Sequence, residues 1–388
     1  MSVNNMDFEK AATLLNSIRQ QVTGVTAIAP TNTADFISVA TTTLKAGYDP
    51  VLNAITQMVG RTIFSIRPYN RKFGGIQADS MKWGSITRKL SLSDKAFEDP
   101  ARFDLTDGQS VDMYKVNKPE VLQVNFYGQN TFDKGYTIFR DQLDNAFRSP
   151  EEFGSFMSMV VQNTSDMIEQ AHESIARMII ANFVGGKITA NNGVIHALTE
   201  YNTETGQSLT ATTVYDPANF PAFIKWLYSR IATLTSMMTE RTGLYQIQVT
   251  GKEVMRHTPY DRQKVYMLSP ILNEINARVL ADAYHDTFLD FADVEGVNFW
   301  QAAQSPDTIN VTPSYMDATG AIITGSALNQ SKIIGVVFDD EALGYTTVHN
   351  WSATTPFNIK GGYWNVNHAF TEKWWNDFTE KGAVILLD

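Results

Sequence analysis

Apolar residues return at helical spacing from the start of the chain: Phe8, Ala11, Leu15 and Ile18 first. An aperiodic Thr/Ala/Pro stretch runs from Thr23 to Thr33, and the period resumes at Phe36, Ile37, Ala40 and Leu44. Gly47 and Pro50 break it before Val51, Leu52, Ile55 and Val59 take it up again. The pattern predicts helices on an extended arm. Arg61 to Arg67 then alternates as a strand.

From Pro68 to about Asn117 the character changes. Gly74 and Gly75 precede MKWGSITRKLSL, which puts Met81, Trp83, Ser85 and Thr87 on one face, and a turn-rich acidic stretch follows through Asp94, Glu98, Asp99, Pro100 and Asp104. Strand propensity without enough inward apolar residues predicts a long, twisted β excursion with no core of its own. Such a segment has to lie on something else, a neighbouring subunit among the candidates. Val121 to Tyr127, VLQVNFY, returns the chain as a strand.

Ser149-Pro150-Glu151-Glu152 carries a helix-start signature: a capping serine, proline at the first helical position and glutamate at the third. Behind it Phe153, Phe156, Val160, Met167, Ala171, Ile175, Ile179 and Phe183 keep a near-helical beat, interrupted at Thr164. A helix from Pro150 to Phe183 would span about 50 Å at 1.5 Å per residue. Gly185 and Gly186 are expected to stop it. Beyond lie a polar linker (Asn191 to Thr213), a helix near Phe220 to Met238, a strand at Leu244 to Thr250, a helix around Ser269 to Tyr284 and a strand ending at Gln301. After Gln330 the pattern is of strands: SKIIGVVF, EALGYTTVHN, WNVNHAF beyond the Gly361-Gly362 turn, and GAVILLD. Helices and strands in this order predict an α+β fold.

Composition narrows the function. The chain has 388 residues, 31 Lys and Arg against 41 Asp and Glu, and no cysteine. That removes disulfides, thiolate metal sites and a cysteine nucleophile, and a net charge of −10 argues against a broad basic face gripping nucleic acid. No signal peptide or apolar run of membrane-spanning length is present, which predicts a soluble protein of a reducing compartment. Charged residues are only 19%, while 7 Trp, 15 Tyr and 22 Phe are present, a balance that fits extensive self-association and equally a large-cored monomeric enzyme.

Chemistry is hard to find. Gly186-Lys187 and Gly251-Lys252 fail the phosphate-loop pattern, no dinucleotide fingerprint or GxSxG elbow occurs, and the six histidines have no metal-ligand spacing. They read as exposed or core-satisfied histidines. Asp339-Asp340-Glu341 reads as a solvated turn before a cation site, and Trp351, Tyr363, Trp364, Trp374 and Trp375 as core or interface packing before a stacking platform. No catalytic, cofactor or metal residue is predicted. Arg71, Lys72, Lys82, Arg88 and Lys89 in the β excursion read equally as a contact to an acidic neighbour and as the ordinary charging of an exposed edge.

The order of elements resembles the major capsid proteins of tailed double-stranded DNA bacteriophages, of the Hong Kong 97-type fold, with the closest likeness to small podoviruses of the phi twenty-nine type. Phe147 to Ile180 looks like that family's spine helix and its entry, Asn273 to Phe291 like its axial-domain helix, and Gly361 to Leu386 like its final strands. The resemblance implies an arm at 1–60, an extended β loop with flanking strands at 61–127, a peripheral domain with the spine helix at 128–213, an axial domain at 214–335 and closing strands of the peripheral domain at 336–388. It implies a structural protein without cofactors that assembles into pentamers and hexamers. They form an icosahedral or prolate shell around packaged double-stranded DNA, held weakly on the inner face. A separate scaffolding protein and a portal are implied partners, with assembly in the host cytoplasm and no membrane. Inter-subunit contacts are expected at Arg71, Lys72, Trp83, Arg88 and Lys89. An encapsulin-like cargo shell and a soluble α+β enzyme are the alternatives.

Overall fold

The computed structural model describes residues 8–25, 30–59, 71–78, 87–93, 105–111, 114, 116, 118, 120–277 and 293–388. The strand expected at Arg61 to Arg67, the face bearing Met81, Trp83 and Ser85, the acidic stretch 94–104 and the end of the helix expected to reach Tyr284 lie outside them. The first part of the chain forms α1 (Phe8–Thr23), α2 (Thr33–Lys45), α3 (Tyr48–Val59), β1 (Thr87–Leu92), β2 (Val121–Phe126), β3 (Gln129–Phe139), α4 (Arg140–Ala146) and α5 (Pro150–Thr189). The second forms β4 (Val194–His196), α6 (Ala197–Thr205), α7 (Phe220–Thr239), β5 (Gln263–Leu268), α8 (Ser269–Ile275), β6 (Asp293–Val297) and four short strands, β7 (Ile309–Val311), β8 (Ser314–Met316), β9 (Ile322–Thr324) and β10 (Leu328–Gln330). It closes with β11 (Ile333–Asp339), β12 (Leu343–Thr354), β13 (Tyr363–Asn376) and β14 (Gly382–Leu386). The chain divides into two compact units.

The first unit comprises Met1–Trp83, Gln129–Ile175 and Thr346–Lys373. Its core contradicts the picture of an extended arm. Leu15 and Ile18 of α1, Phe36 and Ala40 of α2 and Leu52 and Ile55 of α3 are buried in one cluster with Leu143, Phe153, Met157 and Trp364. Each helix is amphipathic and too short to hold its shape in water alone, so the apolar stripes close on one another and on a shared core. Phe36 meets Phe153 edge-on with centroids 5.8 Å apart, and Trp364 lies 4.6 Å from Phe357. The unit's sheet runs β12-β13-β3, with β13 antiparallel to β3 from Tyr363↔Phe139 to Lys373↔Gln129.

The second unit comprises Gly84–Gly128, Ala176–Tyr345 and Trp374–Asp388. A five-stranded sheet in the order β4-β14-β11-β5-β6 organises it, antiparallel at its centre and parallel at both edges. β11 and β14 are buried along their whole length, the mark of strands covered on both faces. α6, α7 and α8 supply Leu198, Phe223, Leu227, Leu234 and Ile271 to a core shared with Val265, Val337 and Ile385.

The helix-start reading at Ser149 holds, for its Oγ accepts the Glu152 N–H at 3.2 Å. The expected stop does not. α5 runs 40 residues to Thr189, straight through both glycines, about 60 Å of helix. The glycines are there for close approach: a Cβ at Gly185 would meet Val311 Cγ1 at 2.8 Å, and one at Gly186 would meet Tyr315 Cβ at 2.9 Å and the Phe378 ring at 2.5 Å. The stop comes later, where Asn191 and Gly193 take positive φ. Thr164 sits inside the helix and returns its hydroxyl to the Val160 carbonyl at 2.8 Å.

Two further expectations fail for local reasons. The polar stretch Asn191 to Thr213 contains β4 and α6, whose short apolar runs the Asn and Thr content obscured. Leu244 to Thr250 alternates but makes no strand. Tyr245 has φ 64°, and Gln248 exchanges hydrogen bonds with the Val254 backbone at 3.1 Å. Fully buried Lys187, which burial pushes down to about 7, donates to the Tyr245 carbonyl at 2.7 Å. If the glycines of α5 serve packing, Gly186→Ala destabilises the chain by about 1–3 kcal/mol through overpacking, against the stabilisation of about 1 kcal/mol that alanine brings to an unpacked helix position. Denaturant unfolding of the variant distinguishes the two signs.

Candidate functional site

The part of the chain without a core of its own is the hairpin of β1 and β2, paired antiparallel from Thr87↔Phe126 to Leu92↔Val121. Side chains alternate across it. Lys89, Ser91, Leu122 and Val124 face one way, and Leu122 is buried. Arg88, Leu90, Leu92, Val121 and Gln123 face the other and are exposed. Leu90 is 61% exposed, Leu92 64% and Val121 43%, so the outward face carries exposed apolar surface.

The inward face is held by charge. Lys89 Nζ lies 2.5 Å from Glu380 Oε1 and 3.0 Å from both Asp377 Oδ2 and Glu341 Oε2. Arg256 joins them, with Nε 3.1 Å from Glu380 and Nη2 donating to Ser91 Oγ at 2.7 Å. Ser93 Oγ donates to the Glu253 carbonyl at 3.1 Å. Asp377 and Glu380 are buried, placing the lysine among carboxylates of low solvation.

The ionisation of the cluster follows. Burial opposes charge on Lys89, but Asp377 and Glu380 outweigh it and raise its pKa. Burial raises Glu380, partly offset by Lys89 and Arg256, and lifts Asp339 to about 6, although the Glu341 N–H and the Thr258 hydroxyl donate to its carboxylate. Burial also acts on Glu341, but hydrogen bonds from Arg262 and Lys89 win and hold it near 2. The acidic run 339–341 is therefore a turn, as its sequence suggests, yet Asp339 is buried while Asp340 and Glu341 are clasped by Arg262 at 2.7 and 2.5 Å. No group of three or more residues suited to a metal ion occurs among the described residues.

Of the described residues singled out in the sequence, Arg88 is exposed on the hairpin's outward face. Lys89 is turned into its own chain. Arg71 and Lys72, in the other unit, engage α5: Arg71 Nη1 lies 2.7 Å from His172 Nδ1 and 3.4 Å from Glu169, and the Lys72 N–H donates to Glu173 Oε2 at 2.7 Å. Trp83 lies outside the described residues. Sequence reasoning missed Asp377, Glu380 and Arg256, which belong to no motif and meet Lys89 only through the fold. The described residues include no helix long and apolar enough to cross a membrane.

The hairpin is thus anchored by charge on one face and exposes apolar side chains on the other. The model of the family of Phi29-like phage major capsid proteins matches residues 13–372. The chain belongs to that family. It is a capsid shell protein, a subunit of a virion. No curated protein matches the chain. Among solved structures, the capsid of Staphylococcus phage Andhra is similar at 9% identity, covering 84% of this chain and 87% of that one with a TM-score of 0.57. A structure of native bacteriophage P68, described by its head fiber and inner core protein, is similar at 10% identity with the same coverage and score. These likenesses show the shared Hong Kong 97-type fold. Neither the cargo-shell nor the enzyme alternative is favoured.

Removing the capsid subunit's Lys89 ammonium as Lys89→Met leaves Asp377 buried without its lysine and Glu380 with Arg256 alone, at a cost of about 3–5 kcal/mol at neutral pH. Burial already raises the Glu380 pKa and losing the lysine raises it further, so protonation favours the folded variant. Its deficit should shrink as pH falls from about 7 to about 5, which urea unfolding at both values measures.

Proposed function

We propose that the hairpin reaches a neighbouring subunit of the shell and lays Leu90, Leu92 and Val121 against it, with Arg88 at the rim. The observation that carries this reading is the division of labour across one two-stranded ribbon: buried ion pairs to its own chain beneath and uncovered leucines above. A hairpin of this kind has no independent stability, and side chains of that size are worth about 1.5–3 kcal/mol each when fully buried. The connection beyond β1 extends the surface, for Val111, Tyr114 and Val116 are 50%, 86% and 76% exposed. Many such contacts, each weak and repeated by symmetry, close a shell.

In this reading residues 1–60 are an arm that packs on its own unit rather than extending from it, 61–127 the extended loop, 128–213 with 336–388 the peripheral domain built on α5, and 214–335 the axial domain. Subunits form pentamers and hexamers of an icosahedral or prolate shell, assembled in the host cytoplasm with a separate scaffolding protein and a portal. The net charge of −10 suits an inner wall that contains double-stranded DNA without gripping it. Arg88 is the member of the predicted contact set that lies exposed on the hairpin's outward face, which supports the role.

Replacing both outward leucines, Leu90→Asp with Leu92→Asp, puts charge on the face meant to be covered while touching nothing in its own chain's core. Expressed with the neighbouring phage proteins, the variant should keep its thermal unfolding temperature and yield no closed particles by electron microscopy. Normal particles in normal yield refute the assignment of this face.

A further inference from the structure

His172 is buried in α5 with both ring nitrogens engaged. Nδ1 lies 2.7 Å from Arg71 Nη1, and Nε2 lies 2.8 Å from Glu372 Oε1 on β13. A guanidinium has five donors and no acceptor, so Nδ1 must carry the lone pair. Nε2 then carries the proton and donates it to Glu372. The partners alone fix the tautomer, and they fix the charge: an imidazolium would point an N–H at an N–H.

We propose that Arg71, His172 and Glu372 form a proton-sensitive clasp, which holds residues 71–78 against α5 while the imidazole is neutral and releases them when it takes a second proton. Glu372, fully buried, already accepts from Thr347 Oγ1 at 2.7 Å as well as from the ring. From α5, Glu169 lies 3.4 Å from Arg71 and Glu173 accepts the Lys72 N–H. From β13, Phe370 packs edge-on with its centroid 5.4 Å from the ring, and Lys373 leaves the strand on the face opposite Glu372 by alternation. The charged groups around the ring are thus Arg71 and Lys72 on the released segment, three carboxylates, and Lys373 across the strand. A protonated ring keeps its bond to Glu372 and turns its new N–H toward the carboxylate of Glu169, which Arg71 then shares or loses.

What the clasp controls is the root of the β excursion. Residues 71–78 are described between the end of α3 and the start of β1; Arg71 and the Lys72 amide hydrogen-bond to α5, Arg71 is further tied to Gln77, and Phe73 and Ile76 are buried. The clasp is built on histidine, the residue type used in pH switches. It is independent of which surface the hairpin covers.

Backbone hydrogen exchange on full-length protein, read by mass spectrometry over the peptide containing 71–78 and corrected for intrinsic rates, tests it at about pH 7.5 and about pH 5.5, either side of the imidazole range. Loss of a charge-assisted hydrogen bond should lower wild-type protection about tenfold or more at the acid value. His172→Gln, whose amide accepts from Arg71 and donates to Glu372 yet takes no proton, should keep its protection at both. Equal wild-type protection at the two values, or an equal loss in His172→Gln, overturns the proposal. Should the variant not fold, nitrogen NMR of labelled histidine in the wild type decides: a neutral ring protonated on Nε2 at about pH 7.5 supports the clasp, and a proton on Nδ1 overturns it.

Discussion

One lysine among three carboxylates decides where the hairpin lies. A two-stranded ribbon has no interior, and β1 and β2 bury a single large side chain, Leu122, on their inward face. What fastens them is Lys89 to Glu341, Asp377 and Glu380, with Arg256 closing the group. Breaking a buried ion pair costs far more than forming it gains. The anchor is therefore weak as a source of net stability and strong as a specification of place, because moving the ribbon takes from buried Asp377 the lysine it pairs with. With the inward face committed, the leucines have only the outside to meet.

The rest of the unit keeps that anchor rigid. Asp377 and Glu380 stand in the short connection between β13 and β14, and Glu341 in the turn between β11 and β12. β11 and β14 are the fully buried central strands of the five-stranded sheet, paired from Ile333↔Leu386 to Phe338↔Gly382. α5 packs against the same region through the stacking of Phe183 on Phe378, centroids 5.4 Å apart. The two glycines above Val311, Tyr315 and Phe378 let the helix come that close.

Much of the fold was legible because strong periodic signals seldom mislead. The three N-terminal helices, α5 with its serine cap, α7 and the four closing strands all stand where the hydrophobic pattern puts them. The misses share a cause: a local signal was outvoted by tertiary contact. Gly185 and Gly186 read as a stop and are a packing device. Leu244 to Thr250 alternates, yet a buried lysine takes its Tyr245 carbonyl and the side chains of Gln246 and Gln248 turn to the Val254 carbonyl. The arm looked extended because sequence period does not reveal what a helix face lies against. At the candidate site, Lys89 stood out as basic and Leu90 and Leu92 as strand residues, but the carboxylates opposite Lys89 are more than 250 positions away in the chain, and nothing in the sequence links them. Family resemblance, carried by order of elements rather than by any motif, supplied what local chemistry did not.

The most direct test of the account is an electron-microscopic reconstruction of the assembled shell at side-chain resolution. It should show Leu90, Leu92 and Val121 covered by an adjacent subunit while Lys89 keeps Asp377 and Glu380 of its own chain. A hairpin whose outward face stays in solvent, or a Lys89 paired with a neighbour's carboxylates, would contradict it.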